Sequence, residues 1–151
     1  EFDDQTSALI GSGERDLSGL KVGQSPQTSY GLGIDWKASN KLNIYTNINQ
    51  YANFYGFVKV EDTVQGAVAE KLNSYGLVDL GMSYKFNFKN DTDLKLRLNV
   101  NNVGNTVYLA ESLTNNFIEG SDDDSYRGIN TNNKAFFGFG RTWNFTMRYN
   151  F

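Results

Sequence analysis

Asp122, Asp123 and Asp124 stand in a row inside a long polar segment, about residues 111–134. Clustered carboxylates are natural ligands for a hard cation such as Ca²⁺. They lack the alternating spacing of an EF-hand loop, and a solvated charged loop accounts for them as well. Tyr55, Asn116, Tyr126 and Arg127 also lie in segments between regular elements. Their hydroxyl, amide and guanidinium groups suit contacts to a polar ligand, or they serve only to solvate and close the loops. The chain has no His and no Cys. That removes the commonest general base, the commonest zinc ligand, thiolate metal sites and any disulfide framework. No Ser/His or paired-acid constellation stands out, so the sequence predicts no enzyme, no catalytic residue and no cofactor. A net charge of −3 argues against nucleic acid as a partner.

The elements that hold these residues are strands. The 151 residues include 11 Phe, 9 Tyr and 15 Gly but one Pro, and Asn is frequent and often doubled. Such a mixture favours strands and turns over helices. Residues 1–28 are rich in Gly, Ser, Gln and Asp and read mainly as loop. Alternation then sets in. Tyr30, Leu32, Ile34 and Trp36 fall on one face, with Gly31, Gly33, Asp35 and Lys37 on the other. After a tight turn at Ser39-Asn40, Leu42, Ile44, Thr46 and Ile48 alternate with Asn43, Tyr45, Asn47 and Asn49. This second strand fades through Tyr51–Val60 into the polar stretch Glu61–Asn73. A third strand sets Val78, Leu80, Met82, Tyr84 and Phe86 against Asp79, Gly81, Ser83 and Lys85. The turn Lys89–Thr92 leads to a fourth, with Leu94, Leu96, Leu98 and Val100 on one face, continuing raggedly to about Ala110. The last strand alternates Arg141, Trp143, Phe145, Met147, Tyr149 and Phe151 with polar residues to the end of the chain. Five strands are expected, joined by connections that run short, long, short, long. One helical turn within 67–72 is compatible with the long connection.

A soluble β-sandwich also alternates, and a sandwich that binds carbohydrate or serves adhesion is the competing reading. Three features favour a membrane barrel. Loop lengths alternate, as they do where tight turns face the periplasm and long loops face outside. Aromatics such as Tyr30, Trp36, Tyr84, Trp143 and Tyr149 sit near strand ends on the apolar face, where barrels carry their girdles. The polar face is rich in Asn, Gly and Ser, which suits a hydrated lumen. No stretch of 18 apolar residues is present, so no transmembrane helix is possible, but a spanning strand needs only about 9–11 residues. Unpaired strand edges cannot face lipid and about eight strands is the least that closes, so five strands are expected to be a portion of a larger barrel.

From about Leu20 onward the chain resembles the C-terminal end of a TonB-dependent outer-membrane receptor. The likeness rests on the Pro-containing lead-in Gly23–Leu32, on Leu72–Phe86, on Leu98–Tyr108 and on the ending Gly138–Phe151. Gly104 departs from the pattern, since the family often has Phe there. The Asn richness is most similar to Bacteroidetes-type members. The resemblance implies an all-β antiparallel meander forming the C-terminal wall of a barrel of about 22 strands. It further implies residence in the outer membrane of a Gram-negative bacterium and import of a scarce nutrient: a ferric siderophore, haem, cobalamin or a glycan. The partners it implies are lipid, the rest of the barrel, a plug domain outside this chain, the TonB complex, the barrel-assembly machinery and, for some members, a surface lipoprotein. Residues 29–151 would be barrel strands and loops, and 1–28 an extracellular loop. Short turns would be periplasmic, which makes 53–74 and 111–134 extracellular. Phe151 resembles the terminal aromatic read by the assembly machinery. Asp79, Lys85, Arg97 and Arg148 would face the lumen and pair with one another or with the plug.

Overall fold

The computed structural model describes residues 7–10, 13–16, 21–57, 69–113, 125–126 and 129–151. Twelve strand segments are found among them, and no helix. The five long ones are β3 (Pro26–Lys37), β4 (Leu42–Tyr55), β6 (Tyr75–Asn87), β7 (Asp93–Asn101) and β12 (Thr142–Asn150). These are the five expected strands. They join in one antiparallel sheet in the order β12-β7-β6-β4-β3, with the two-residue β5 (Lys71–Leu72) added against β4. Their lengths, from 9 to 14 residues, are sufficient to cross a bilayer.

Outside the long strands the sequence was less transparent. The segment read as loop over 1–28 contains a hairpin, β1 (Ser7–Ile10) with β2 (Gly13–Asp16), and β3 already begins at Pro26. Proline is admissible there because the first residue of a strand need not donate. The fourth strand does not run on to Ala110. It stops at Asn101 because Asn102 and Asn105 adopt left-handed backbone, with φ of 49° and 51°. The chain restarts as β8 (Leu109–Ser112), which pairs with β11 (Ala135–Phe137) across a register shift between Phe136 and Phe137. β9 (Ser125–Tyr126) and β10 (Ile129–Asn130) form a further short ladder. Of the expected helical turn at 67–72, Lys71–Leu72 are strand, Ala69 and Glu70 are neither helix nor strand, and residues 67–68 lie outside the described residues.

Both tight turns form for local reasons. Ser39 Oγ accepts hydrogen bonds from the Lys41 and Leu42 amides at 3.1 and 3.0 Å, an arrangement that lets Ser replace a backbone acceptor. Asn90 and Asp91 both take positive φ, 62° and 56°, as the two central residues of a type I′ hairpin turn must. Thr92 Oγ1 donates to the Lys89 carbonyl at 2.8 Å and closes it.

The chain divides into two compact units. The strand unit comprises Ser29–Gln50, Tyr75–Val107 and Phe139–Phe151. The loop unit comprises Glu1–Thr28, Tyr51–Ser74 and Tyr108–Gly138. The loop unit has a small core of its own: Phe54, Ala69, Leu72 and Ile129 are buried.

Asn102 closes the end of the strand unit opposite the tight turns. Its amide donates to Asp79 Oδ1 at 2.9 Å, and its side chain accepts from the Thr106 amide and donates to the Thr106 and Phe139 carbonyls. It is 4% exposed, so these groups have no water to fall back on. Asp79, expected to face the lumen and to pair with Lys85, Arg97, Arg148 or the plug, accepts this backbone amide. Asn102→Ala should lower stability by about 1–3 kcal/mol, the cost of orphaning buried polar groups. Asn102→Gly, which keeps the left-handed backbone but loses the side-chain bonds, should cost less than Asn102→Ala. Urea unfolding of the full-length protein reconstituted in lipid measures both.

Candidate functional site

The two faces of the strand unit are separated by register. Across β6, β7 and β12 the pairings align Leu80–Val100–Trp143, Met82–Leu98–Phe145, Tyr84–Leu96–Met147 and Phe86–Leu94–Tyr149. The alternate positions align Gly81–Asn99–Asn144, Ser83–Arg97–Thr146, Lys85–Lys95–Arg148 and Asn87–Asp93–Asn150. A slip of one residue in any strand would exchange the faces, so eight apolar pairings fix the register.

The apolar face is not buried as it would be in a water-soluble sheet. Fourteen large apolar side chains of the long strands are exposed, from Val78 at 36% to Trp143 at 71%. The set includes Leu32, Leu80 and Phe145, while Leu96, with strands on both sides, is half-buried. Gly81 and Ser83 on the polar face are buried. Soluble monomers rarely leave a continuous apolar surface of more than about 300–600 Å². Within the strand unit no second layer covers the apolar face among the described residues, as a sandwich would require.

The polar face is knitted by amides. Tyr45 donates its hydroxyl to Asn99 Oδ1, and Asn99 Nδ2 donates to Asn144 Oδ1 at 2.7 Å. Asn101 Nδ2 reaches Thr142 Oγ1 at 3.2 Å, and Asn150 Nδ2 reaches Asp93 at 2.9 Å. Gly81 is required beneath Tyr45, because any Cβ there would strike the phenol ring. At the end with the tight turns the face opens into a pocket of about 940 Å³, lined among others by Lys37, Lys41, Lys85, Lys95 and Arg97. Lys85 forms an ion pair with Asp93 at 3.5 Å.

A strand meander with one face apolar and exposed and the other polar and tied by amides is the pattern of a membrane barrel wall. Residues 2–103, more than half of the chain, match the family model described as TonB dependent receptor-like, beta-barrel. The chain belongs to this family. No curated protein and no solved structure matches it. The TonB-dependent receptors are outer-membrane receptors and transporters, not an enzyme family, and this chain supplies barrel strands of such a receptor.

The candidate ligand residues of this receptor fare unequally. Tyr55 is the last residue of β4, opposite Lys71, and its carbonyl accepts from the Gln24 amide at 3.1 Å. Tyr126 lies in β9 and is 55% exposed. Both belong to the loop unit. Asn116, Arg127 and the trio Asp122, Asp123 and Asp124 lie outside the described residues. Among the described residues no group of three or more acidic side chains could hold a metal ion. Phe151 is fully exposed and stacks on Tyr149, with ring centroids 6.2 Å apart.

Glu70 is a loop-unit residue that sequence reading passed over. It is 8% exposed, and its carboxylate accepts from the Asn130 amide at 2.7 Å and from the Asn133 side chain. It thereby ties the segment before β5 to the one around β10. An acidic residue between Ala69 and Lys71 carries no periodic signal of burial, and only its long-range partners reveal it. Burial pushes the Glu70 carboxyl above its ordinary value of 4.5, and the two hydrogen bonds partly oppose that rise. A folded-state value above the unfolded one favours folding in full at pH below the unfolded value, and that contribution is lost as pH rises through the folded value. Amide protection around Ile129 and Asn130 should therefore be greater near pH 4 than near neutrality. Glu70→Gln should flatten the dependence. Hydrogen exchange, corrected for intrinsic rates, reads both.

Proposed function

We propose that this chain forms the C-terminal wall of a plugged barrel of about 22 strands that imports a scarce nutrient with energy from the TonB complex. The observation that carries the reading is the inside-out sheet: registered apolar rows exposed on one face, and a hydrogen-bonded Asn, Ser and Tyr surface on the other. In hydrocarbon that apolar face is satisfied by lipid. The polar face then borders a hydrated interior that a plug domain occupies.

In this reading the tight turns at Ser39-Asn40 and Lys89–Thr92 are periplasmic, β12 runs downward, and Phe151 is the terminal signal for barrel assembly. The long connections 53–74 and 111–134 are extracellular, as is much of 1–28. Tyr55, Asn116, Tyr126 and Arg127 then contact the nutrient at the outer mouth. Ferric siderophores, haem, cobalamin and glycans are the substrate classes, and a surface lipoprotein is a fitting partner for a glycan. The exposed aromatics Phe139 and Trp143 fit the outer interface, and Tyr149 the inner one, since amphipathic rings favour headgroup depth.

Two measurements test the proposal. In the native bacterium, loss of the full-length gene should abolish uptake of one of these nutrient classes, and loss of TonB should reproduce the defect. Uptake that persists without TonB would sink the energy-coupling part of the reading. Phe145→Arg, near the middle of β12 on the apolar face, should destabilise the folded barrel by about 2–4 kcal/mol in lipid. Asn144→Lys, one position away on the polar face, should cost far less. Equal costs for the two substitutions, measured by urea unfolding in lipid vesicles, would contradict the assignment of faces.

A further inference from the structure

Glu70 reaches two stretches of the loop unit, one through its backbone and one through its side chain. Its carbonyl accepts the Gly56 amide at 2.8 Å, and its carboxylate accepts the Asn130 amide at 2.7 Å and the Asn133 side chain. Gly56 follows Tyr55, and the peptide that joins them is held at both ends, because the Tyr55 carbonyl accepts the Gln24 amide at 3.1 Å. Gly23 permits that approach: a Cβ there would lie 2.4 Å from the Gly56 carbonyl oxygen. Asn130 belongs to β10, whose Ile129 is directly opposite Tyr126 of β9. Tyr55 and Tyr126, from different connections of the chain, are thus joined through one residue.

The junction is closed to solvent. Ala69, Glu70, Leu72, Ile129 and Asn130 are between 1% and 8% exposed. Further strands or a further domain would add cover to these residues and remove none. A carboxylate so buried is tolerated only where its oxygens find donors. Here both donors come from one turn, in which the Asn133 amide donates to the Asn130 carbonyl at 3.0 Å and the Asn132 amide to Asn130 Oδ1 at 2.9 Å. The turn presents a backbone N–H to Glu70 Oε1 and a side-chain amide to Glu70 Oε2, so the carboxylate satisfies both from one position only.

We infer that Glu70 is the positioning residue of the ligand-contact loops: it sets Tyr55 and Tyr126 at one fixed separation, so that a ligand meets both together. The ladders around them cannot do this alone, since β5, β9 and β10 have two residues each. The role needs reach and two bonding atoms more than it needs charge. Gln has the same reach, and its carbonyl can accept from Asn130 while its amino group donates to an Asn133 amide turned over. Asp keeps the charge but is shorter by one methylene and cannot meet both donors. Loops ordered in advance spare binding the entropy of ordering them. That the two tyrosines meet a nutrient rests on the proposal above. Their fixed separation does not.

The test measures that separation in the purified full-length receptor in detergent micelles. Nitroxide labels are attached at Tyr55→Cys and Tyr126→Cys, with any cysteine elsewhere in the receptor replaced; this chain has none of its own. Electron paramagnetic resonance should give one narrow distance peak. Glu70→Ala and Glu70→Asp should each lose that peak to a broad distribution, and Glu70→Gln should restore it. Asn102→Ala, which lowers stability within the strand unit, should leave the peak unchanged, so loss of stability alone does not imitate the effect. Each variant's fold is checked by the gel mobility of unheated barrel, and if Glu70→Ala does not fold, the Asp and Gln variants decide. The inference is overturned if the parent distribution is broad, if folded Glu70→Ala or Glu70→Asp keeps the parent's peak, or if Glu70→Gln is as broad as Glu70→Asp. Failure of the outer-membrane reading would show separately, as fractionation of the native protein away from the outer membrane, and would not alter the distances.

Discussion

The strand unit follows from one constraint: in hydrocarbon, each backbone N–H and C=O must be paired within the protein. A sheet meets that requirement only when its strands are long, continuous and flanked on both sides. β4, β6 and β7 are flanked on both sides within the chain, and β3 and β12 are its edges. Those edges call for further strands, which is why a five-strand meander belongs to a larger closed barrel. The same constraint explains the economy of the tight turns, where Ser39 and Asn90-Asp91 complete local hydrogen bonding within a few residues.

With the backbone satisfied, side chains are free to sort by face. The apolar rows are held by register, and within the strand unit no second layer covers them among the described residues. On the opposite face packing is achieved with amides. The chain Tyr45–Asn99–Asn144 and the cluster Asn102–Asp79–Thr106–Phe139 are hydrogen-bonded analogues of a core. Gly81 beneath Tyr45 and Gly138 beneath Tyr108 show how closely rings approach the strands when no side chain intervenes. The Asn richness of the sequence thus has two uses: side-chain ladders along the polar face, and left-handed backbone at Asn53, Asn90, Asn102 and Asn105.

The loop unit obeys a different rule. Its few buried residues, Phe54, Leu72 and Ser112 among them, are gathered from two stretches of the chain, Tyr51–Ser74 and Tyr108–Gly138. Short ladders such as β8 with β11 cannot hold themselves, and buried polar ties such as Glu70 to Asn130 and Asn133 join them. Loops that contact a ligand need a defined shape without a large core, and buried hydrogen bonds provide one at small cost in chain length.

The sequence by itself determined the five long strands, their two faces and their tight turns. Those depend on a period-two pattern and on residues such as Ser39 and Asn90 that act within four positions. It also carried the family likeness, through short strand motifs in a set order. Tertiary structure alone decided where the fourth strand ends, because Asn is tolerated in a strand and left-handed only by context. It decided that Asp79 serves a backbone amide and that Lys85 pairs with Asp93, since both depend on register between strands. It also decided the gathering of Lys37, Lys41, Lys85, Lys95, Arg97 and Arg148 at one end of one face. Residues more than a hundred positions apart in sequence become neighbours only when strands pair, and pairing is set by the sum of many weak cross-strand contacts that no local window contains.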